Sequence, residues 1–371
     1  MAPRTSHVHL PLAGAADVDG RGLARALARA VRGEVRFDDG SRALYATDAS
    51  NYRQVPIGVV LPRDADDVIA TFAECRRFGA PVLARGGGTS LAGQCCNVAV
   101  VLDFSKHMRA VLELDPERRL ARVQPGIVLD DLRDRAERHH LTFGPDPATH
   151  NRCTIGGMLG NNSCGVHAQM AGKTQHNTES LEVLTYDGAR MRVGATSDDE
   201  LAAIVRAGGR QGEIYGRLAA LRDRHGDEVR RRFPKIPRRV SGYNLEELLP
   251  ERGFHVARAL VGSESTCVTI LEATLRLIDS PPCRVLAVLG FSDIYAAAEH
   301  VPAVLEDHPI ALEGLDDRLI EFMRRKGLHT ETLPLLPRGA AWLIAEFGGQ
   351  TRDEARARAD ALVARLRGAV D

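Results

Sequence analysis

The segment "PVLARGGGTSLAGQ", residues Pro81 to Gln94, decides the fold, because a short apolar run stops there and three consecutive glycines begin. Successive amide groups without side chains can form a concave nest for an anion, and diphosphate is the natural guest. Thr89 and Ser90 follow the glycines and can donate hydrogen bonds to phosphate oxygens. An isolated glycine pair usually marks a tight turn that binds nothing. Three glycines followed by two hydroxyl side chains favour the anion site.

Neither of two common nucleotide motifs explains this loop. The fingerprint GxGxxG of Rossmann folds occurs nowhere in the sequence. The tripeptide "GKT" at Gly172 to Thr174 resembles the end of a P-loop, but His167 stands where the first glycine is needed. A Rossmann dehydrogenase and a P-loop ATPase are therefore disfavoured.

A second segment of small residues is "PDPATHNRCTIGGMLGNNSCG", from Pro145 to Gly165. On its own it would fit a loop packed on a neighbouring helix equally well. Two such segments in one domain indicate a long, flat cofactor that lies against the main chain.

The apolar pattern around the glycine loop predicts alternating strands and helices. A strand begins at Ile57, a helix capped by Asp66 ends at Gly79, and "PVLA" is the next strand. "VAVVLDF" and "RLARVQPGI" predict two more strands, and "VLDDLRDRAERHHL" predicts an amphipathic helix. A hairpin is predicted at Asp187-Gly188, and a further strand spans Cys267 to Ile278.

The segment "DSPP", Asp279 to Pro282, interrupts this pattern and predicts a domain boundary. After it, strands and helices alternate on a shorter scale, which favours a small α+β sheet layered with helices. The sequence therefore predicts an N-terminal segment with a helix at 1–44, a large domain at 45–282 and a smaller one at 283–371.

Composition excludes several classes of function. The chain has 371 residues, 44% hydrophobic and 26% charged, as expected for a globular protein. Its 49 basic and 49 acidic residues cancel, which disfavours nucleic acid as a partner. No segment has the length and apolarity of a signal peptide or a membrane span, and the seven scattered cysteines suit reduced thiols. We therefore expect a cytoplasmic protein.

No residue cluster in the sequence has metal-ligand spacing, so no metal site is predicted.

Four segments, in order and spacing, resemble the FAD-binding domain of flavin-linked oxidases and dehydrogenases of the vanillyl-alcohol oxidase type. They are "ARGGGTSLAGQ", "IGGMLGNNSCG", "LEVLTYDG" and "LVGSESTCVTILEATLRL". Within that superfamily they are most similar to the branch of D-lactate dehydrogenase, the glycolate oxidase FAD subunit and D-2-hydroxyglutarate dehydrogenase. The resemblance runs from about Tyr45 to Pro282 and continues more weakly to the C-terminus.

The resemblance implies an α+β fold. It would consist of a PCMH-type FAD-binding domain, built from two α/β subdomains, followed by a partial α+β cap domain. Relatives of this kind hold FAD between the subdomains and form the substrate site with the cap.

The resemblance also implies FAD as the cofactor and assigns residues to it. In the glycine loop they are Arg85, Gly86, Gly87, Gly88, Thr89, Ser90, Gly93 and Gln94. In the second segment they are Pro145, Asp146, Thr149, Gly156, Gly157, Asn161, Ser163 and Gly165, and further on Gly262, Glu264, Thr266 and Val268. The family's usual "GSEGT" has Ser265 in place of its second glycine, for which we expect a local adjustment. Covalently flavinylated relatives carry a histidine just after the loop glycines, and none stands here, so FAD should be bound non-covalently.

The implied activity is an FAD-dependent oxidation of a D-2-hydroxy acid of the lactate, glycolate or 2-hydroxyglutarate class. Hydride would pass from C2 of the substrate to flavin N5 while a general base takes the hydroxyl proton. The metal-binding and catalytic residues of the branch are expected beyond Asp371, so no catalytic residue and no metal ligand is assigned. The electron acceptor and the oligomeric state are also unassigned.

Two alternatives remain at this point. The chain would otherwise be a flavin-binding fragment of a longer FAD and iron–sulfur dehydrogenase, without turnover of its own. A flavin reductase of the cell-wall precursor pathway shares the FAD-binding domain, but "GSESTCVTILEATLRLIDSPP" is more similar to the hydroxy-acid branch.

Overall fold

The first sheet is a four-stranded layer that carries the glycine loop at the end of one strand. The computed structural model describes residues 18–368, so the first 17 residues of the predicted N-terminal segment lie outside the described residues. The strand order is β1-β2-β4-β3, with β2, β4 and β3 parallel and β1 antiparallel at the edge. The elements are α1 (Gly20–Ala30), β1 (Glu34–Arg36), α2 (Asp39–Leu44), β2 (Gly58–Leu61), α3 (Ala65–Arg77), β3 (Val82–Arg85) and β4 (Val100–Asp103).

The core of this sheet lies between the strands and the helices α1 and α3. Val68 and Phe72 on α3 are buried, as the spacing predicts, and Leu23 on α1 is buried with them. The N-cap of α3 is Asp64, and the prediction of Asp66 was wrong. The Asp64 carboxylate accepts hydrogen bonds from the amides of Asp66, at 3.1 Å, and Asp67, at 3.2 Å. Asp66 instead lies in the first turn, where a negative charge complements the helix dipole.

The second sheet has five antiparallel strands in the order β5-β6-β10-β8-β9, and β7 and β11 form a separate pair. The predicted hairpin between β8 and β9 is confirmed, and Gly188 takes the positive φ of 95° that this turn requires. The elements are β5 (Val111–Asp115), β6 (Leu120–Val123), α4 (Leu129–Ala136), β7 (Leu141–Thr142), α5 (Ile155–Asn161), α6 (Ala168–Ala171), β8 (Thr178–Leu184), β9 (Arg190–Val193), α7 (Asp198–Ala207), α8 (Gly209–Arg232), α9 (Val256–Leu260), β10 (Thr269–Arg276) and β11 (Ile278–Asp279).

The central strand β10 shows why this sheet has one dry face and one wet face. Leu271, Ala273 and Leu275 are buried on one side, as the alternating sequence predicts. On the other side, Glu272 pairs with Arg122 of β6 at 2.8 Å. The buried side faces the helices, and α5 lies on it near the glycine loop.

The third sheet is a three-stranded antiparallel layer in the order β12-β14-β13. The predicted alternation of strands and helices is present, and the apolar faces of β12, β14, α10 and α12 form its main core, while Ile320 of α11 packs in a smaller cluster with Trp342. The elements are β12 (Cys283–Phe291), α10 (Ile294–Leu305), β13 (Ala311–Asp316), α11 (Asp317–Arg325), β14 (Ala341–Gly349) and α12 (Arg352–Leu366). The predicted α+β class is confirmed. No helix within residues 18–368 combines the length and the apolarity needed to cross a membrane.

Replacing Phe347 with alanine should destabilise the third sheet. Phe347 is 1% exposed on β14, and its removal leaves a cavity in a small core, which should lower the free energy of unfolding by about 3–5 kcal/mol. Trp342 is the single tryptophan and lies on the same strand, so its emission during urea unfolding measures the loss. Leu286→Ala on β12, where the side chain is 59% exposed, is the control and should change the midpoint little.

Candidate functional site

A cavity of about 450 Å³ lies between the glycine loop after β3 and the short helix α5. This is the volume of a typical small-molecule or cofactor site. The structure brings most of the predicted cofactor residues to its wall. They are Arg85, Gly86, Gly87, Gly88, Thr89, Ser90, Gln94, Thr149, Gly156, Gly157, Asn161, Ser163, Glu264 and Val268.

The glycine loop packs directly on the start of α5, and two glycines make this approach possible. A Cβ at Gly86 would overlap with the Thr154 side chain, and one at Gly87 would overlap with the carbonyl oxygen of Arg152. Gly88 has a φ of +63°, a left-handed conformation that favours glycine. Within residues 18–368, the amide groups of Gly87, Gly88 and Thr89 have no protein acceptor. The loop therefore offers unpaired donors beside the cavity, as an anion site requires.

Arg85 has a structural contact pattern that the sequence did not indicate. Its guanidinium donates to the carbonyl oxygens of Thr47 at 2.8 Å, Cys95 at 2.9 Å and Tyr45 at 3.4 Å. These bonds tie both ends of the glycine loop to the segment before β2. The side chain lines the cavity, but three of its five N–H donors are already used by the protein.

Helix α5 is fixed at its N-terminus by the protein itself. The amide of Ile155 donates to the carbonyl of Ile127 at 2.9 Å, and that of Gly156 donates to Pro125 at 2.7 Å. Thr154 is the N-cap, and its hydroxyl accepts from the amide of Gly157 at 3.3 Å. The first amides of this helix are consequently occupied, so the donors for an anion lie in the glycine loop.

The C-terminus of α5 is capped by the segment "GSEST". The amide of Gly262 donates to Leu159 at 2.8 Å, and that of Glu264 donates to Gly160 at 3.0 Å. To reach these carbonyls, Glu264 and Ser265 adopt left-handed φ values of +48° and +64°. Ser265 therefore stands in a conformation that favours glycine, which is the local adjustment expected from the sequence.

Two glycines of α5 leave space that nothing in the protein fills. A Cβ at Gly160 would meet no atom within 4 Å, and one at Gly157 would meet only the Thr154 hydroxyl at 3.5 Å. Neither residue has a positive φ, and glycine weakens a helix relative to alanine. Both line the cavity, so the missing side chains widen it.

The cavity also has an apolar wall that sequence reasoning missed. It is formed by Leu83, Phe104, Pro125, Cys153, Met158, Leu260 and Ile270. The apolar periodicity marks such residues as core positions and does not say which of them face a ligand. Burial raises the pKa of the Cys153 thiol to about 11, so this wall carries no charge at neutral pH.

Six predicted cofactor residues do not line this cavity. Gly262 and Thr266 line an adjoining groove, where the Thr266 hydroxyl lies 2.8 Å from that of Tyr243. The remaining four are Gly93, Pro145, Asp146 and Gly165. Gly165 and Asp146 contact each other, since a Cβ at Gly165 would overlap with the Asp146 carbonyl oxygen.

A buried amide network holds the turn after α5, and apart from the residue types no pattern in the sequence indicates it. Asn162, at a φ of +55°, donates through Nδ2 to Gln175 Oε1 at 2.7 Å. Gln175 in turn donates through Nε2 to Glu247 at 3.0 Å. The network fixes the positions of Asn161 and Ser163, which flank Asn162 at the cavity.

The described part of the chain contains no metal-binding site formed by a cluster of ligand side chains. No group of three or more His, Cys, Asp or Glu side chains there could hold a metal ion. The only two charged side chains on the cavity wall within residues 18–368 are Arg85 and Glu264. Glu264 accepts a hydrogen bond from Gln94 at 3.3 Å.

Two family profiles match the chain. The FAD binding domain matches residues 56–194, and the C-terminal domain of FAD linked oxidases matches residues 280–370. D-2-hydroxyglutarate dehydrogenase from Pseudomonas putida is 33% identical over 293 residues, which are 78% of this chain and 29% of that protein. Glycolate oxidase subunit GlcD from Bacillus subtilis is 29% identical over 316 residues, 82% of this chain and 56% of that subunit. The chain thus spans about a third and about half of the lengths of these two relatives.

A solved alkyldihydroxyacetonephosphate synthase has the same fold. It superimposes with a TM-score of 0.65 and 16% identity, covering 93% of this chain and 60% of that chain. At this identity the likeness extends to the fold alone. It agrees with the expected PCMH-type arrangement of two α/β subdomains and a following α+β domain.

Ser265→Gly should raise the free energy of unfolding by about 0.5–1 kcal/mol, because it removes a side chain from a left-handed position. Thermal or urea unfolding of the purified variant measures this. The matched control is Ser263→Gly, since Ser263 is buried and has no positive φ. The control should lose stability, and a loss in Ser265→Gly as well would contradict the assigned strain.

Proposed function

Because the chain belongs to the FAD-linked oxidases, whose cofactor is FAD, we propose that its cavity binds FAD non-covalently for the oxidation of a D-2-hydroxy acid. One observation carries this proposal. The loop amides without an acceptor and the glycines of α5 with free space beside them lie on the wall of the same cavity. The free loop amides suit a diphosphate, and the open glycine positions suit a flat group that lies on the main chain. FAD contains both.

The chain's own residues divide into two groups in this proposal. The amides of Gly87, Gly88 and Thr89, with the hydroxyls of Thr89 and Ser90, would bind the diphosphate. The apolar wall of Leu83, Phe104, Met158, Leu260 and Ile270 would exclude water from the ring systems. Bound FAD supplies a two-electron acceptor for hydride from the substrate carbon. Arg85 would act indirectly, by holding the ends of the loop.

The substrate class rests on the relatives. The names of the two proteins reported above refer to D-2-hydroxyglutarate and glycolate, which are both 2-hydroxy acids. We extend this class, with D-lactate, to this protein. The predicted residues Gly93, Pro145, Asp146, Gly165, Gly262 and Thr266 would then support the site from outside the cavity wall.

We also propose the domain division and the location expected from the sequence. The third sheet begins with Cys283, which supports a boundary after residue 282. Residues 20–36 pack on the first sheet, so the described part of the N-terminal segment 1–44 would extend the FAD-binding domain at 45–282. The cytoplasm is proposed from the seven cysteines, all of which are free thiols in the structure.

Gly160→Ala should have opposite effects on the two states of the protein. Without FAD, alanine should stabilise α5 by up to about 1 kcal/mol, because the new methyl group meets no protein atom. With FAD, the same methyl group would occupy cofactor space and lower FAD retention severalfold. Unfolding of the FAD-free protein and the ratio of visible flavin absorbance to protein absorbance measure the two effects.

The matched control is Gly216→Ala in the interior of α8, where the added methyl group also has room. It should stabilise the protein without changing FAD retention. If Gly160→Ala retains FAD as well as Gly216→Ala does, Gly160 does not face the cofactor.

Thr89→Asp tests the diphosphate site by charge. Thr89 lines the cavity and is partly exposed, so aspartate fits the fold but would repel the diphosphate. We expect the loss of more than nine-tenths of the bound FAD, measured by flavin absorbance after gel filtration. Thr89→Asn has the same shape without the charge and should retain most of it. Equal retention by the two variants would contradict the placement of the diphosphate.

The activity itself is tested by anaerobic addition of D-lactate, glycolate and D-2-hydroxyglutarate to the FAD-loaded protein. Loss of the visible flavin absorbance with one of these acids, and not with L-2-hydroxyglutarate, is the expected result. If FAD is retained and no acid changes the spectrum, the oxidation is wrong for this chain while the cofactor site stands.

A further inference from the structure

A buried charged cluster joins the third sheet, which is called the C-terminal sheet below, to two segments beside the cavity. His167 Nδ1 lies 2.5 Å from Asp146 Oδ2, and its Nε2 lies 3.5 Å from Glu346 Oε1. The three side chains are only 7%, 10% and 16% exposed, in the order His167, Asp146 and Glu346. Arg284 on β12 lies 3.5 Å from the same Glu346 oxygen. With a protonated His167, two cations therefore balance two carboxylates.

His167 holds Asp146 by two separate contacts. Besides the side-chain bond, the backbone amide of His167 donates to Asp146 Oδ1 at 3.1 Å. The close approach depends on Gly165, where any side chain would overlap with the Asp146 carbonyl. Asp146 precedes Pro147–Thr149, and His167 follows Ser163, and both of these line the cavity. The pair thus fixes the distance between the two cavity segments from the protein side.

The third member of the cluster comes from the other end of the chain. Glu346 lies on β14, the central strand of the C-terminal sheet. Helix α6 begins directly after His167 and packs against β13 of that sheet. Gln169 and Met170 of α6 also face Leu305 and Ile310 across a shallow crevice. The surface around His167 is therefore where the C-terminal sheet meets the cavity segments.

The charge of His167 follows from its partners. Burial opposes the charged imidazolium, but the hydrogen bonds to Asp146 and Glu346 outweigh it and raise the pKa of His167 to about 9. The His167 hydrogen bond also holds the pKa of Glu346 below its usual range. Since the folded pKa lies above the ordinary value of about 6.5, the stabilisation is complete below pH 6.5 and is lost as the pH rises through 9. Neutral His167 would leave a net negative charge in a buried site.

We propose that His167 is a positioning residue that couples the C-terminal sheet to the cofactor cavity. As an imidazolium between Asp146 and Glu346, it holds β14 against the two cavity segments. It does not line the cavity, so it acts on the reaction through the positions of other groups. The functional meaning rests on the proposed FAD site, whereas the coupling of the two parts of the protein does not.

Two fluorophores report on the two sides of this contact. Trp342 is the only tryptophan, lies on β14 and is buried, so its emission follows the C-terminal sheet. Flavin fluorescence follows the release of the cofactor. In thermal unfolding of the FAD-loaded wild type at pH 7, we expect the two transitions to coincide. In His167→Gln, the Trp342 transition should come first, lower by roughly 5 °C or more.

The pH profile separates positioning from simple packing. Raising the pH from 8 to 10 should split the two transitions of the wild type and shift the visible band of bound FAD, both with a midpoint near 9. His167→Gln should lack both pH effects. If the temperature of the Trp342 transition changes with pH and the position of the flavin band does not, the contact is structural only and the positioning role is wrong.

Three comparisons complete the test. His107→Gln is the matched control, because His107 lies in the turn after β4 and pairs with Glu34 of β1 at 3.2 Å; it should behave as wild type. Glu346→Gln should reproduce His167→Gln, and the double variant should add little, since both remove the same interaction. Additive effects would overturn the proposal, as would coincident transitions in both single variants across the pH range.

The test remains decisive in two unfavourable cases. If His167→Gln does not fold, Glu346→Gln and the wild-type pH series decide by the same criteria. If the wild type fails to bind FAD, the proposed function fails, and the Trp342 transition is compared with far-ultraviolet circular dichroism of the whole chain. A split of those two signals above pH 9 would still support the coupling, and its absence would overturn it.

Discussion

The contact between the glycine loop and the start of α5 is the constraint on which the rest of the site depends. At Gly86 and Gly87 the loop approaches Thr154 and Arg152 so closely that any Cβ would overlap with them. Side chains here would push the two segments apart, and the cavity wall would open to solvent. Because the loop leaves the first sheet and α5 packs on the second, the same contact also sets how the two sheets face each other.

Helix α5 has small residues where stability would call for large ones. It has seven residues, three of them glycine, and a helix of this length and composition would not form alone. Other segments hold it instead. Pro125 and Ile127 accept its first amides, and the "GSEST" segment caps its last carbonyls. The cost of the glycines and of the strained Ser265 is thus offset by hydrogen bonds that come from distant parts of the chain.

Charge is distributed unevenly around the cavity. The wall is mainly apolar or made of main chain, and the guanidinium of Arg85 is already bound to three carbonyls. Buried ionic groups that do not line the cavity include the Asp146–His167–Glu346 cluster and Glu247. Such groups are costly unless every partner is in place, so they fix the arrangement of the segments that carry them. The cavity wall is thus left free to contact a ligand, while the ionic groups outside it hold the surrounding segments in one arrangement.

The sequence by itself determined the α+β class, the alternation of strands and helices around the glycine loop and the β8–β9 hairpin, but not the long helix α8. These depend on local patterns, such as the alternation in β10 and the run from Gly86 to Gly88, which physical chemistry links directly to a local structure. The N-cap of α3 was missed because Asp64 and Asp66 are the same residue type, which is favoured at an N-cap, so the sequence does not distinguish them.

Only the tertiary structure decided what the side chains of the site contact. Arg85 was predicted to bind the cofactor, and its donors reach three carbonyls of the protein; Asp146 and Gly165 contact each other and His167 outside the cavity. The apolar wall of Phe104, Leu260 and Ile270 was not foreseen. The reason is physical. A hydrogen bond or a packed surface needs two partners, and here the second partner lies far away in the sequence, so that no local pattern records it.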